Sequence, residues 1–234
     1  MKTSAAKKLS TCESYRLEDC NGYIVADIEG SRCLIDTGSP STVSPRKQLS
    51  MFGEKFGTIP TYGPMHLGDI EKGVGTRLDY LVGLNVLTKF PWELDVEEGW
   101  IAFYPDSLPT SITNRWHYMN CGSFMGMPVL KFNLNGRDYQ GLFDTGAPLQ
   151  YAPKDAELGK LFDYQKDFFP TVGEFLSSRY KVQFKVGNRI IDGMFGKFPP
   201  EIPLAAWNAW ILGSDVLKSG PVAFDLQSRS VYLC

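Results

Sequence analysis

The segment Leu81-Val82-Gly83-Leu84-Asn85-Val86-Leu87 reappears without a gap as Ile211-Leu212-Gly213-Ser214-Asp215-Val216-Leu217, at an offset of 130 positions. The register holds downstream. Pro91 falls on Pro221, Leu94-Asp95 on Phe224-Asp225, and Trp100-Ile101-Ala102-Phe103 on Ser230-Val231-Tyr232-Leu233. Upstream, Ala26-Asp27-Ile28-Glu29-Gly30 followed by Leu34-Ile35-Asp36-Thr37-Gly38-Ser39-Pro40 is matched by Phe132-Asn133-Leu134-Asn135-Gly136 followed by Leu142-Phe143-Asp144-Thr145-Gly146-Ala147-Pro148. The second copy of this hairpin is two residues longer. Self-similarity of this kind means two copies of one folding unit. The first half is placed at 21–105 and the second at 120–234, with a polar linker over 106–119 and an N-terminal extension over 1–20.

Each half reads as β structure. Glycine (23) and proline (15) cut the chain into short β-branched and aromatic runs, and few windows hold a helical period for three turns. Strands are expected at Gly22 to Ile28, Trp100 to Tyr104, Met127 to Leu134, Tyr180 to Val186 and Ser230 to Leu233. Glu29-Gly30, Asn135-Gly136 and Gly187-Asn188 are turn dipeptides that tolerate positive φ. Short helices are expected at Asn85 to Thr88 and Val216 to Lys218, after the glycines that close each repeat. The fold class is therefore mostly β, with two homologous lobes related by a pseudo-twofold axis. A hydrophobic fraction of 43% is enough to give the halves a core.

Composition removes several function classes. The 24 basic and 26 acidic residues are evenly spread, which leaves no electrostatic footprint for nucleic acid or anionic lipid. Met1 to Leu9 lacks the apolar run of a membrane span or secretory signal, so no membrane partner is expected and a cytoplasmic location is favoured. Cys12, Cys20, Cys33, Cys121 and Cys234 show no CxxC spacing. Reduced thiols are the plainer reading, with a Cys12–Cys20 bridge as the alternative. The only histidines, His66 and His117, are distant and in no metal-ligand spacing. No metal or cofactor is expected, and nucleophilic catalysis that depends on an imidazole is disfavoured.

The two Asp-Thr-Gly tripeptides carry the chemistry. Each follows two large apolar residues and is succeeded by an apolar-apolar-Gly element. In this the chain resembles the aspartic proteases of the pepsin and retropepsin kind, and the resemblance covers nearly everything beyond residue 21. It implies an acid-protease fold and a single-chain endopeptidase acting as a monomer on polypeptides. Asp36 and Asp144 would be the catalytic carboxyls, with Thr37, Gly38, Ser39, Thr145, Gly146 and Ala147 supporting the two loops. The chemistry asks for such a pair independently: hydrolysis without metal or covalent intermediate needs one carboxylate to deprotonate water and one carboxylic acid to protonate the substrate. Two adjoining carboxyls share a proton because both cannot ionise; the general examples of that behaviour are pepsin and the viral protease. The alternative is a peptide-binding or regulatory module of the same fold with weak or no turnover.

In this family a β-hairpin flap closes over the substrate. The interval from Asp36 to Gly83 is 47 positions, whereas that from Asp144 to Gly213 is 69. The flap is therefore expected from the second half only, with its tip near Thr171, Val172 and Gly173, and with Phe175 offering apolar surface to a substrate preferring apolar residues around the scissile bond. A small first-half flap at Tyr62-Gly63 is the alternative. Asp95 and Asp225, though repeated, are read as turn residues. Prolines after each motif, Pro40 and Pro148, depart from the usual retropepsin pattern and remove an amide that a ligand backbone might use. The Ser39 hydroxyl is expected to bond the ionised pair and lower its apparent pKa, giving a mildly acidic optimum.

Overall fold

A computed structural model of the chain describes residues 12–169, 172–200, 202 and 208–234. In each half the strand entering the Asp-Thr-Gly motif lies parallel to the strand ending in apolar-apolar-Gly. Ser31–Ile35 pairs with Tyr80–Val82, and Arg137–Phe143 with Trp210–Leu212. The registers correspond, with Ile35 opposite Val82 and Phe143 opposite Leu212. The chain leaving each motif then crosses over the closing glycine. A Cβ on Gly83 would stand 2.5 Å from the Ser41 carbonyl oxygen, and one on Gly213 would stand 2.4 Å from that of Leu149. Backbone approach that close admits only glycine.

The molecule is built on two large sheets. One has nine strands in the order His117–Asn120, Ser230–Leu233, Val222–Asp225, Trp92–Asp95, Trp100–Phe103, Glu13–Cys20, Tyr23–Ile28, Ser31–Ile35, Tyr80–Val82. It runs through both halves, because Val222–Asp225 pairs antiparallel with Trp92–Asp95. At that seam the Trp92 and Phe224 rings stack with centroids 4.2 Å apart, and Phe143 also stacks with Phe224 at 5.2 Å. The other sheet has eight strands, all from the second half, ending in the antiparallel run Arg189–Lys197, Gly173–Val186, Asp163–Phe169. One large core, including fully buried Trp92, Phe103, Phe143, Phe195 and Phe224, joins the inner faces.

Most expected elements are present: Tyr23–Ile28, Trp100–Phe103, Met127–Leu134 and Ser230–Leu233 are strands, and short helical turns occupy Leu84–Leu87 and Ser214–Ser219. The boundaries differ in three places. Residues Glu13–Cys20 are not an appendage but a strand between Trp100–Phe103 and Tyr23–Ile28. Its alternating burial, with charged Arg16 and Glu18 beside buried Leu17, suits a strand whose outer face meets solvent. The end of the linker is also structural, since His117–Asn120 pairs with Ser230–Leu233. The strand expected at Tyr180 to Val186 begins at Gly173. All five cysteines are free thiols, with Cys33 and Cys121 in the core. Asp95 and Asp225 accept turn amides from Glu97, Glu98 and Ser228, the turn role read for them. Among the described residues no helix is long and apolar enough to cross a membrane.

Candidate active site

The two Asp-Thr-Gly loops meet tip to tip. The amide of Asp36 donates to the Val82 carbonyl at 3.0 Å and that of Asp144 to the Leu212 carbonyl at 2.9 Å, so each aspartate leaves its strand in the same way. The threonines then lock the loops reciprocally. Thr37 Oγ1 donates to the Phe143 carbonyl at 2.7 Å and accepts from the Thr145 amide at 3.0 Å. Thr145 Oγ1 donates to the Ile35 carbonyl at 2.6 Å and accepts from the Thr37 amide at 3.0 Å. Both side chains are fully buried. Four dry hydrogen bonds, each with a net value of about 1 kcal/mol, fix the loops against each other.

The glycines let the carboxyls come together. A Cβ on Gly38 would lie 2.4 Å from the Asp144 carboxyl, and one on Gly146 would lie 2.6 Å from that of Asp36. Each carboxyl also accepts its own loop's amides: Gly38 and Ser39 donate to Asp36 Oδ1 at 2.8 and 3.1 Å, and Gly146 donates to Asp144 Oδ1 at 2.9 Å. Below them the equivalent polar pairs Thr42–Asn85 and Gln150–Asp215 tie each loop to its closing glycine. Thr42 Oγ1 accepts from the Gly83 amide at 3.2 Å, and Gln150 Oε1 from the Gly213 amide at 2.6 Å.

Burial dominates the electrostatics. Desolvation, followed by the charge of Asp144, pushes Asp36 well above the usual carboxylate range against the pull of the Gly38 and Ser39 amides. Desolvation also raises Asp144. The Gly146 amide and the hydrogen bond shared with Asp36 oppose that rise, and the charge of Asp167 adds to it. Such a pair loses its protons in two macroscopic steps that belong to both carboxyls, and between those steps it holds one proton. Among the described residues no group of three or more His, Cys, Asp or Glu is placed to hold a metal ion.

A cavity of about 460 Å³ opens above the pair. Its walls are mostly aromatic and aliphatic: Tyr62, Met127, Leu142, Tyr151, Phe168, Phe169, Phe175, Phe198 and Ile211. Tyr151 and Phe198 stack with centroids 3.8 Å apart. The roof on one side is the hairpin formed by Asp163–Phe169 and the start of Gly173–Val186, where Phe169 lies opposite Gly173. The Phe168 ring rests against Gly73 of helix Leu67–Val74 in the first half, 3.4 Å from where a Cβ would be. On the other side stands a small hairpin, Thr61–Tyr62 with Met65–His66, turning at Gly63 with φ +58°. Burial and then the charges of Asp36 and Asp144 push the Tyr62 phenol up to about 12.

The structure brings together the residues expected from the motif, with two corrections. The cavity is walled by hairpins from both halves, because Tyr62 and Gly63 line it alongside Phe168, Phe169 and Phe175. The shorter first-half interval suffices because its hairpin needs only two-residue strands and the following residues coil compactly into helix Leu67–Val74. Of the tip residues, Val172 is exposed, its amide donating to the Phe169 carbonyl at 3.0 Å, and Gly173 has φ +90°. Thr171 lies outside the described residues. The second correction concerns Ser39, whose hydroxyl donates to the Ser41 carbonyl at 2.8 Å; its amide, not its hydroxyl, meets Asp36. Ala147 lines the cavity, and its carbonyl accepts from the Ser214 amide at 3.0 Å.

Tyr151, Asp167 and Phe198 were not foreseen. None of the three carried a local signal; the alternation of Asp163–Phe169 puts Asp163, Gln165 and Asp167 on one face, a polar pattern that reads as outward. No protein-family model matches the chain, and no curated protein matches it in sequence.

Proposed function

We propose that this chain is a single-chain aspartic endopeptidase of the pepsin and retropepsin kind, hydrolysing extended polypeptides at the Asp36/Asp144 pair. The observation that carries the reading is the reciprocal geometry of the two loops, in which each carboxyl stands against the other half's glycine and each threonine bonds the other half's backbone. Asp36–Phe103 and Asp144–Leu233 then belong to two lobes, with 21–105 and 120–234 as their approximate bounds.

The mechanism follows from one shared proton. The ionised carboxyl takes a proton from a water held between the pair while the water oxygen attacks the scissile carbonyl carbon, and the protonated carboxyl gives its proton to the carbonyl oxygen. Collapse of the tetrahedral diol breaks the C–N bond. A proton passes from the pair to the leaving nitrogen, and one hydroxyl proton of the diol returns to the pair. The raised affinity of the buried pair for its proton keeps the singly protonated state available in mildly acid solution. The aromatic walls favour apolar side chains beside the cleaved bond, and the hairpins exclude water when a peptide fills the cavity.

Cleavage of denatured casein, with Asp36→Asn and Asp144→Asn as controls, tests the reading. Either variant is expected to keep its circular dichroism spectrum and lose turnover by at least about a thousandfold, since one carboxyl cannot serve as acid and base in the same step. Turnover within tenfold of wild type in either variant removes the dyad. A folded wild-type chain that binds peptides without cutting them leaves the peptide-binding module in its place.

A further inference from the structure

A third buried carboxyl shares the cavity with the pair. Asp167 sits on strand Asp163–Phe169 of the long hairpin, is only 8% exposed, and lines the same space as Asp36 and Asp144. Its oxygens are held: Oδ1 accepts the Phe168 amide at 2.7 Å and Oδ2 accepts the Tyr151 hydroxyl. Tyr151 belongs to the floor of the second half, and Tyr23 of the first half faces the same carboxyl. Asp167 is thus a point at which the hairpin meets both halves, beside the contact that Phe168 makes with Gly73.

We propose that Asp167 is a positioning residue whose carboxylate, while anchoring the hairpin across the cavity, keeps the shared proton on the Asp36/Asp144 pair to higher pH. The catalytic part of this inference rests on the proposed hydrolysis; the coupling of the three carboxyls does not.

The sign follows from the groups around it. Burial opposes ionisation of Asp167, while the donors Tyr151, Phe168 amide and Tyr23 favour it. On the cavity side the charges it faces are those of Asp36 and Asp144, with the phenol of Tyr62 beyond them. On its outer side Asp167 also lines a second recess, together with Lys72, Lys166 and Glu174. Those outer groups stand in solvent and are screened, whereas the interaction between buried carboxyls is screened much less. Once Asp167 is ionised, its negative charge disfavours a second charge on the pair and delays loss of the shared proton. The upper limb of the activity profile is therefore extended toward neutrality. The acid limb is affected less, because Asp167 is itself partly protonated there.

Two measurements test this. In the intact chain labelled with 13C at the aspartate carboxyls, the Asp144 resonance should titrate in two steps, one coinciding with the titration of Asp167. In Asp167→Asn, which keeps an acceptor for Tyr151, that step should vanish and the upper apparent pKa of the pair should fall by about half a unit or more. The upper limb of the casein-cleavage profile should move down by the same amount. Titration of Asp144 unaffected by that of Asp167 overturns the proposal, and does so in the wild-type chain even if the variant does not fold. A variant with reduced kcat and an unmoved limb reduces Asp167 to a structural anchor and also overturns it. The resonance titration needs no turnover, so a chain that cleaves nothing but shows coupled carboxyls removes the protease reading alone. A chain that cleaves with uncoupled carboxyls removes this inference alone.

Discussion

Gly38 and Gly146 decide whether two carboxyls can meet, because each occupies the space where a side chain would strike the opposite aspartate. Gly38→Ala should therefore lower kcat by about a hundredfold or more through displacement of Asp144, while KM changes little, since small misplacements of reacting groups are that costly. In the proposed protease, a Gly38→Ala variant with wild-type kcat would show that the loops do not need their present separation. The same burial has a consequence for stability. A carboxyl whose folded pKa is raised contributes stability that is fully present below its unfolded pKa, near about 4, and is lost as pH rises through the folded value. Asp36→Asn removes that loss. Its melting temperature should exceed that of wild type at pH 7 by a few degrees, and the gain should disappear at about pH 3; thermal scans across this range decide it. Ser39→Ala, by contrast, should leave both limbs of the pH profile in place, because the serine hydroxyl is turned to Ser41 and alanine retains the amide that reaches Asp36.

The two hairpins over the cavity differ in construction. The second-half hairpin is long, tied by an Arg179–Asp163 bond of 2.6 Å at its base, and leans on the first half through Phe168. The first-half hairpin is a two-residue pair that presents Tyr62. Phe168→Ala should raise KM several-fold with little loss of melting temperature, because it frees the tip region without opening the main core. Tyr62→Ala should cost kcat/KM by a similar factor; an effect on only one of the two variants would mean that one hairpin alone closes. Much of this was legible in the sequence and some was not. The loops, their threonines and the closing glycines could be read because the duplication aligns them residue by residue. Helix Leu67–Val74 escaped notice because its apolar stripe, Leu67, Ile70 and Val74, spans barely two turns and two glycines interrupt it. Strand Glu13–Cys20 was hidden by the charges on its outer face, which read as solvated tail. Asp167 was invisible as a site residue because its burial depends on pairing across the hairpin and on tyrosines far away in the chain, which no local pattern encodes.

A sheet shared between the halves means that neither can be treated as a free-standing unit. The first-half strand Trp92–Asp95 finds its second neighbour only in Val222–Asp225, and Trp92 finds its stacking partner in Phe224, which in turn packs on Phe143 just ahead of Asp144. The same three rings therefore carry both the seam and the floor beneath the second aspartate. Trp92→Ala should cost about 3–5 kcal/mol of stability, the range for emptying a buried aromatic site, and activity should fall in step with the folded fraction. Both carboxyls and both hairpins that line the cavity come from one chain. In the proposed protease, specific activity should stay constant on dilution from micromolar to low nanomolar, in contrast to an enzyme whose site is shared between subunits. Sedimentation at the same concentrations should give a single species of 26.2 kDa. A sharp fall in specific activity on dilution, with the chain still folded by circular dichroism, would mean that a partner copy completes the site and that the intramolecular seam at Trp92 is not sufficient.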